Sequence, residues 1–416
     1  MRLPALALPL LLGSALLAQE APNQAPAPAK APAPTFAATV AAHFDAWDSD
    51  DDLVLSPAEI DRACIDPKFT GEAAAAIAAI KRVVRAGSYE VPTLSLEGLT
   101  KPVAGKPKPA GDADRADSGE QQPAAAPKRA PNFAASFGSG LRRIRSTPRA
   151  LFVDDTPDLD ACRQGPIGNC WFVASIGAFT HRDPTALRGL VEQTNEGYVV
   201  RFPSGKEVAV APLTDAELAL SGTTGDEGIW LPVLEKAMGQ VRQDANPAKY
   251  ETETATDALA GGSTATVIKL LTGRTTQRLA FHKRVPASKV PPATPPEPVP
   301  ADTVEVLSEK AHAALAAAAT DKRLVTCSTN TARHPPGIPG KHAYAVLGYD
   351  AEARVVTVWN PHGRSRKVTG EPGLQNGYAI DKGVFRLPLR EFVQVFSSMA
   401  WETTVALPKP GSGKAP

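Results

Sequence analysis

The sequence predicts an α+β protein: a helical half carrying a cysteine, a β-rich half carrying a histidine and an asparagine, and a small helical domain ahead of both. Three observations predict it. At Gln164-Gly165-Pro166-Ile167-Gly168-Asn169-Cys170-Trp171-Phe172-Val173-Ala174 a glycine-punctuated turn runs into an apolar, alanine-containing helix. From Leu324 onward the chain alternates in β fashion, at 324–328, 342–349, 354–359, 383–387 and 401–407. Between Phe36 and Trp47 apolar residues recur at helical spacing, directly before an acidic loop.

In chain order, residues 1–18 form the first element. Met1-Arg2 precedes an apolar stretch from Leu3 to Leu17 that ends in Ala18-Gln19-Glu20, the pattern of a cleaved signal peptide. It predicts a secreted or periplasmic protein with no stable membrane insertion after cleavage. An uncleaved anchor is the alternative, and Pro4, Pro9 and Gly13 in so short a run count against it. Residues 19–34 are Ala/Pro-rich and read as a tether. Residues 35–100 read as a small domain built on a calcium-type loop. The run Asp48-Ser49-Asp50-Asp51-Asp52-Leu53-Val54-Leu55-Ser56-Pro57-Ala58-Glu59 matches a twelve-residue EF-hand loop. Its ligands would be Asp48, Asp50, Asp52, the Val54 carbonyl, Ser56 and Glu59. Leu53 departs from the pattern, because the sharp turn at position 6 favours glycine. The alternative is an acidic loop that only looks like a metal site. Ser88 to Gly98 echoes the loop without its acidic ligands and reads as a packing partner.

Residues 101–131 are too poor in apolar residues to bury a core and read as a disordered linker. The main folded region spans 132–410. Within it 148–283 reads as the helical half, with helices at 231–238 and 267–271, and 284–302 as a Pro-rich insertion. Residues 303–407 form the β-rich half, opening with a helix over 304–318. A 43% hydrophobic content is enough for a sizeable core, and a net charge of +1 gives no support for a nucleic-acid partner.

The chemistry centres on Cys170. A cysteine at a helix N-terminus meets unsatisfied backbone N–H groups and the positive end of the helix dipole, which favour thiolate. Gln164 could aim its amide N–H at a developing oxyanion. His342 and Asn360 sit on successive predicted strands joined by Asp350-Ala351-Glu352-Ala353, which would set imidazole and amide side by side as base and orienting group. Singly, these are a core cysteine, a satisfied core histidine and a turn asparagine; together they read as a catalytic set.

Gln-Gly-x-x-Gly-x-Cys-Trp at 164–171, His342-Ala343-Tyr344 and Asn360-Pro361-His362-Gly363 resemble, in this order, the calpain family of papain-like cysteine proteases. Leu151-Phe152-Val153-Asp154, Ile229 to Ala237, Ala260-Gly261-Gly262-Ser263 and Leu271-Thr272-Gly273 agree, over roughly residues 132 to 407. The resemblance implies a papain-like core of two subdomains. It implies a calcium-dependent-type cysteine endopeptidase hydrolysing protein or peptide substrates through a Cys/His/Asn triad and an acyl-enzyme, with Gly262 pairing to substrate backbone. The N-terminal leader and tether look like those of an exported bacterial member.

Three departures stand out. Asn169 replaces the family's aspartate, and Lys341 replaces its glycine before the histidine. His362 takes the slot of a tryptophan understood to shield the His–Asn bond and to gate the site with calcium. Asp160 and either Glu251 or Asp257 are the nearest residues to the family's core calcium ligands. Cys162 and Cys327 stand where the family tends to carry cysteines, as buried hydrophobes or as a Cys162–Cys327 disulfide. Two other functions stay open: a papain-fold acyltransferase, and an inactive protease-like calcium-dependent binding module. The sequence carries no signal for an oligomeric state.

Overall fold

In a computed structural model of the chain, residues 33–101, 128–251, 253–282, 300–330 and 334–408 are described. The expected leader, nearly all of the tether, and the bulk of the linker and of the Pro-rich insertion lie outside them. The chain divides into Met1–Pro34, of which only the last two residues are described, and Thr35–Pro416.

Thr35 opens the second unit by accepting the Ala38 N–H and capping α1 (Phe36–Trp47). The acidic loop follows. Then Ser56 and Glu59 form a capping box, with Pro57 in the first turn, and start α2 (Pro57–Ile65). Next come α3 (Gly71–Ala86), whose buried run Ala73–Ala79 lets neighbouring helices approach closely, and α4 (Leu96–Thr100), capped by Ser95. The Leu55 N–H donates to the Leu94 carbonyl at 3.0 Å, pairing the acidic loop with its echo. The core of this unit runs past residue 100. Phe133, Phe137, Leu141 and Ile144 of α5 (Phe133–Ser146) belong to it, with the Phe133 ring stacked on Phe36 at 5.0 Å, and so do Ala216 and Leu220 further on. The helical unit thus shares its core with the region read as catalytic.

The next half holds α6 (Cys170–Arg182), α7 (Pro184–Arg188), α8 (Asp215–Leu220), α9 (Trp230–Ala245) and α10 (Thr264–Thr272). It is not purely helical as expected. Strands β1 (Val191–Thr194), β2 (Gly197–Arg201) and β3 (Glu207–Val210) form an antiparallel sheet, with Val200 paired to Val208 and both buried. Strand β4 (Arg274–Ala280) then leaves this half to join the large sheet.

After α11 (Ala301–Thr320) come β5 (Val325–Ser328), β6 (Ala343–Asp350), β7 (Val355–Trp359), β8 (Val384–Pro388), α12 (Leu389–Val395) and β9 (Ser398–Ala406). Among the described residues the sheet has the order β4-β9-β5-β6-β7-β8, each neighbour antiparallel. Helix α6 lies against β6. The wholly buried Trp359 packs so closely on α6 that a Cβ at Gly177 would stand 2.4 Å from its ring. That contact seats the start of α6 beside the ends of β6 and β7. No helix of the described residues is long and apolar enough to cross a membrane.

Candidate active site

Cys170 is the first residue of α6, and the preceding turn is fastened on both sides. On one side Asn169, fully buried, donates from Nδ2 to Glu235 Oε1 at 2.7 Å. Glu235 Oε2 accepts the Gly222 N–H at 2.7 Å, and Arg143 donates to the adjacent Ser221 carbonyl. Burial pushes the Glu235 carboxyl up to about 7 against those donors. On the other side the Gly261 N–H donates to the Gly168 carbonyl at 3.0 Å, and the Trp171 indole N–H to the Leu259 carbonyl at 3.0 Å. Gly262 is exposed but lies on Trp171, where a Cβ would come within 2.4 Å of the indole, so only glycine leaves its backbone open there.

The register of β6 and β7, with Ala345 opposite Trp359, brings His342 and Asn360 to the same end of the sheet. His342 is buried, and its Nε2 donates to Asn360 Oδ1 at 2.9 Å. That oxygen also accepts the His362 backbone N–H at 3.0 Å, which fixes the amide's orientation and so assigns the proton to Nε2 of His342. Thr329 brackets the His342 backbone, its Oγ1 accepting the His342 N–H at 3.0 Å and its N–H donating to the His342 carbonyl at 2.9 Å. The Tyr344 ring stands perpendicular to the imidazole with centroids 4.8 Å apart, and the His362 ring stacks on it at 4.3 Å. Burial lowers His342 to about 4 and His362 well below the ordinary range. His362 therefore covers the His342–Asn360 pair as a neutral ring.

The structure brings Cys170 to this pair, because the backbone N–H groups of Ala343, Trp171 and Cys170 point at its sulfur. Cys170 keeps a partly exposed edge, but burial among protein atoms outweighs those donors and raises the thiol above its ordinary value. Gln164 lies at the seam: its N–H donates to the Pro361 carbonyl at 2.9 Å and its Nε2 to the Ile167 carbonyl at 3.1 Å. Lys341 holds φ +48°, the left-handed region that explains a glycine in the family pattern.

Other expected sites fare differently. The Asp48, Asp50 and Asp52 carboxylates converge to within 4.8 Å of one another. Asp48 Oδ2 accepts the Leu53 N–H at 2.9 Å, while its buried Oδ1 has no hydrogen-bond partner among the described residues. Leu53 does take the left-handed turn, at φ +66°. Val54 donates its N–H to Asp52 Oδ1 at 2.8 Å. Glu59 and Ser56 stay outside the carboxylate cluster. Glu59 Oε1 accepts the Ser49 N–H and hydroxyl and Oε2 those of Ser56, and these donors, Ser56 N–H foremost, hold its pKa down to about 2. Asp160 is paired with Lys382 at 2.7 Å, and Asp257 is buried against Lys81 and Arg85. Cys162 and Cys327 are buried free thiols, not a disulfide.

Two functional neighbours escaped the sequence reading. Glu235 sits four residues after Leu231, on the buried face of α9, and that phase was the available signal. Lys81, in an alanine-rich helix, gave none. A cavity of about 380 Å³ lies at the far end of α6, lined by His181, Arg182, Lys322, Arg323 and Tyr349 among others.

Residues 139–372 match the profile of the family described as Calpain family cysteine protease, more than half of the 416 residues. The chain is similar to the calpain-1 catalytic subunit of Homo sapiens, 29% identical over 169 residues, covering 37% of this chain and 22% of that protein. The same subunit is 29% identical in Bos taurus and 28% in Rattus norvegicus over the same coverage. The matched stretch thus spans about a fifth of the length of these curated relatives. With a cysteine, histidine and asparagine gathered on a mixed helix-and-sheet fold, the chain belongs to the calpain family of cysteine proteases.

Proposed function

We propose that the chain is a cysteine endopeptidase of papain-like layout acting on protein or peptide substrates. Cys170 is the nucleophile, His342 the proton shuttle and Asn360 the group that orients it. Gln164 and the Cys170 backbone N–H receive the oxyanion. One observation carries the reading: the 2.9 Å His342–Asn360 bond stands at the head of the strand whose Ala343 N–H points at the Cys170 sulfur.

With Nε2–H held by Asn360, Nδ1 keeps the lone pair that takes the thiol proton as attack begins. The Sγ–C bond forms at the peptide carbonyl, and the displaced oxygen charge is met by the second N–H of the Gln164 amide and by the Cys170 backbone N–H, which turns from the sulfur to the oxyanion as the thiolate is consumed. The proton on Nδ1 passes to the leaving amine as the C–N bond breaks. Water, giving its proton to His342, then forms a C–O bond and releases Sγ, which recovers the proton.

Calcium at Asp48, Asp50 and Asp52, in an EF-hand-like setting, belongs to the same proposal, supported by the converging carboxylates and the unpartnered Asp48 Oδ1. Bound there it would offset two of the three carboxylate charges. Participation of Glu59 would require it to give up its contacts to Ser49 and Ser56. Export to a secreted or periplasmic compartment is supported by the leader over 1–18.

The test is hydrolysis of unfolded casein under reducing conditions by protein lacking residues 1–18, with millimolar calcium or chelator, beside Cys170→Ala. The expected result is turnover that falls by ~10³-fold or more in Cys170→Ala. Amine incorporation in place of hydrolysis would establish an acyltransferase. A folded protein with no turnover in either condition would be a binding module.

A further inference from the structure

Lys81 is 2% exposed, inside the alanine-rich α3. A buried ammonium stays charged only where it is paired, and Lys81 is paired from two directions. Its Nζ lies 2.7 Å from Asp61 Oδ1 on α2 and 2.7 Å from Asp257 Oδ2, and it donates to Thr254 Oγ1 at 3.3 Å. Arg85, one turn on, pairs with the other Asp257 oxygen and donates to the Asp257 carbonyl at 3.0 Å. Thr254 Oγ1 donates to Asp257 Oδ2 at 2.7 Å. Although burial would raise Asp257, Lys81 and Arg85 hold it below the ordinary carboxylate value.

Asp257 opens the short turn Asp257–Leu259, and that turn leads straight to the site. The Leu259 carbonyl receives the Trp171 indole N–H, the Gly261 N–H donates to the Gly168 carbonyl, and Gly262 lies on the Trp171 ring. Trp171 follows Cys170. In the other direction Asp61 rides on α2, the helix whose capping box closes the acidic loop. Contacts therefore run unbroken from the N-terminal helical unit to the residue beside the nucleophile.

We propose that Lys81 is a positioning residue: with Arg85 it clamps Asp257, so that the N-terminal helical unit holds the strip Leu259–Gly262 against Trp171 and sets the substrate wall next to Cys170. The kinetic part of this inference rests on the endopeptidase reading; the structural part stands apart from it.

The experiment compares the protein lacking residues 1–18 with its Lys81→Met and Lys81→Arg variants, by amide hydrogen exchange and by peptidase KM and kcat. In Lys81→Met the Ala260 and Gly261 amides, bonded at 3.1 and 3.0 Å to the Asp257 and Gly168 carbonyls, should exchange at least ~10-fold faster while those of β6 and β7 are unchanged. KM should rise by about tenfold with kcat altered by less than about twofold, and Lys81→Arg should recover most of both effects. Unchanged exchange over 257–262 would overturn the proposal, as would a fall in kcat at constant KM. Should Lys81→Met not fold, Arg85→Gln removes half of the clamp and is held to the same two amides, with a smaller acceleration expected and no acceleration overturning the idea. Absence of wild-type turnover would sink the endopeptidase reading alone, since exchange still decides the positioning role.

Discussion

The two sides of the cleft are held by different chemistry. The cysteine turn is fastened through Asn169 to a buried carboxyl, Glu235, whose pKa lies at about 7. The histidine is held by neutral groups: the Thr329 hydroxyl, the Asn360 amide, and the rings of Tyr344 and His362. Its own pKa is lowered to about 4. The two sides thus titrate in separate windows. Protonation of Glu235 changes the cysteine side in the neutral range, where the histidine side does not change charge.

The largest effect that would test this division is on the histidine side. In Asn360→Ala the Nε2–H loses its acceptor and the other imidazole tautomer becomes available, so kcat/KM should fall by ~10²- to 10⁴-fold. Alkylation of Cys170, read by mass spectrometry, should persist, because the cysteine turn has its own supports. A loss below tenfold would mean that the stacked His362 orients the ring unaided, and the account of the histidine side would be wrong.

Next is the pH dependence of stability. Glu235 ionises at 4.5 when unfolded and at about 7 when folded, so the folded state binds the proton more tightly. Its contribution is fully present below pH 4.5 and is lost as pH rises through 7, a change on the order of 3 kcal/mol. His342 has the opposite sign: lowered to about 4 in the folded state, it contributes above pH 6.5 and its contribution is lost as pH falls through 4. Between about pH 4.5 and 6.5 the two contributions offset each other, so denaturant midpoints of wild type should decline only as pH rises from 6.5 through 7, and Glu235→Gln should remove that decline whatever it does to the absolute midpoint. A slope that survives the substitution would remove Glu235 as its source.

Much of this was legible in the sequence where the signal is local. The glycine turn before a helix fixed the place of Cys170, and two alternating runs joined by a short turn fixed the neighbourhood of His342 and Asn360. The strain at Leu53 followed from loop spacing alone, and it is realised at φ +66°. What escaped is non-local. Strands of four or five residues between Val191 and Val210 are too short for their alternation to outweigh helical neighbours. The burial of Lys81 and Glu235 depends on partners 176 and 66 positions away, which periodicity cannot name.

The smallest effect probes the entry to His342. Lys341 is held at φ +48° by its N–H, which donates to the Asn330 carbonyl at 2.7 Å. A non-glycine residue there costs ~1 kcal/mol or somewhat more, while glycine loses about 0.5–1 kcal/mol more chain entropy on folding. Lys341→Gly should therefore stabilise by less than ~1 kcal/mol, seen as a small rise in urea midpoint at constant slope. Because Thr329 and Asn360 fix His342 and the Lys341 side chain is exposed, kcat/KM should stay within about twofold. A larger change in activity without a change in midpoint would place the Lys341 ammonium in the path of the substrate, giving the histidine side a charged element that its neutral supports lack.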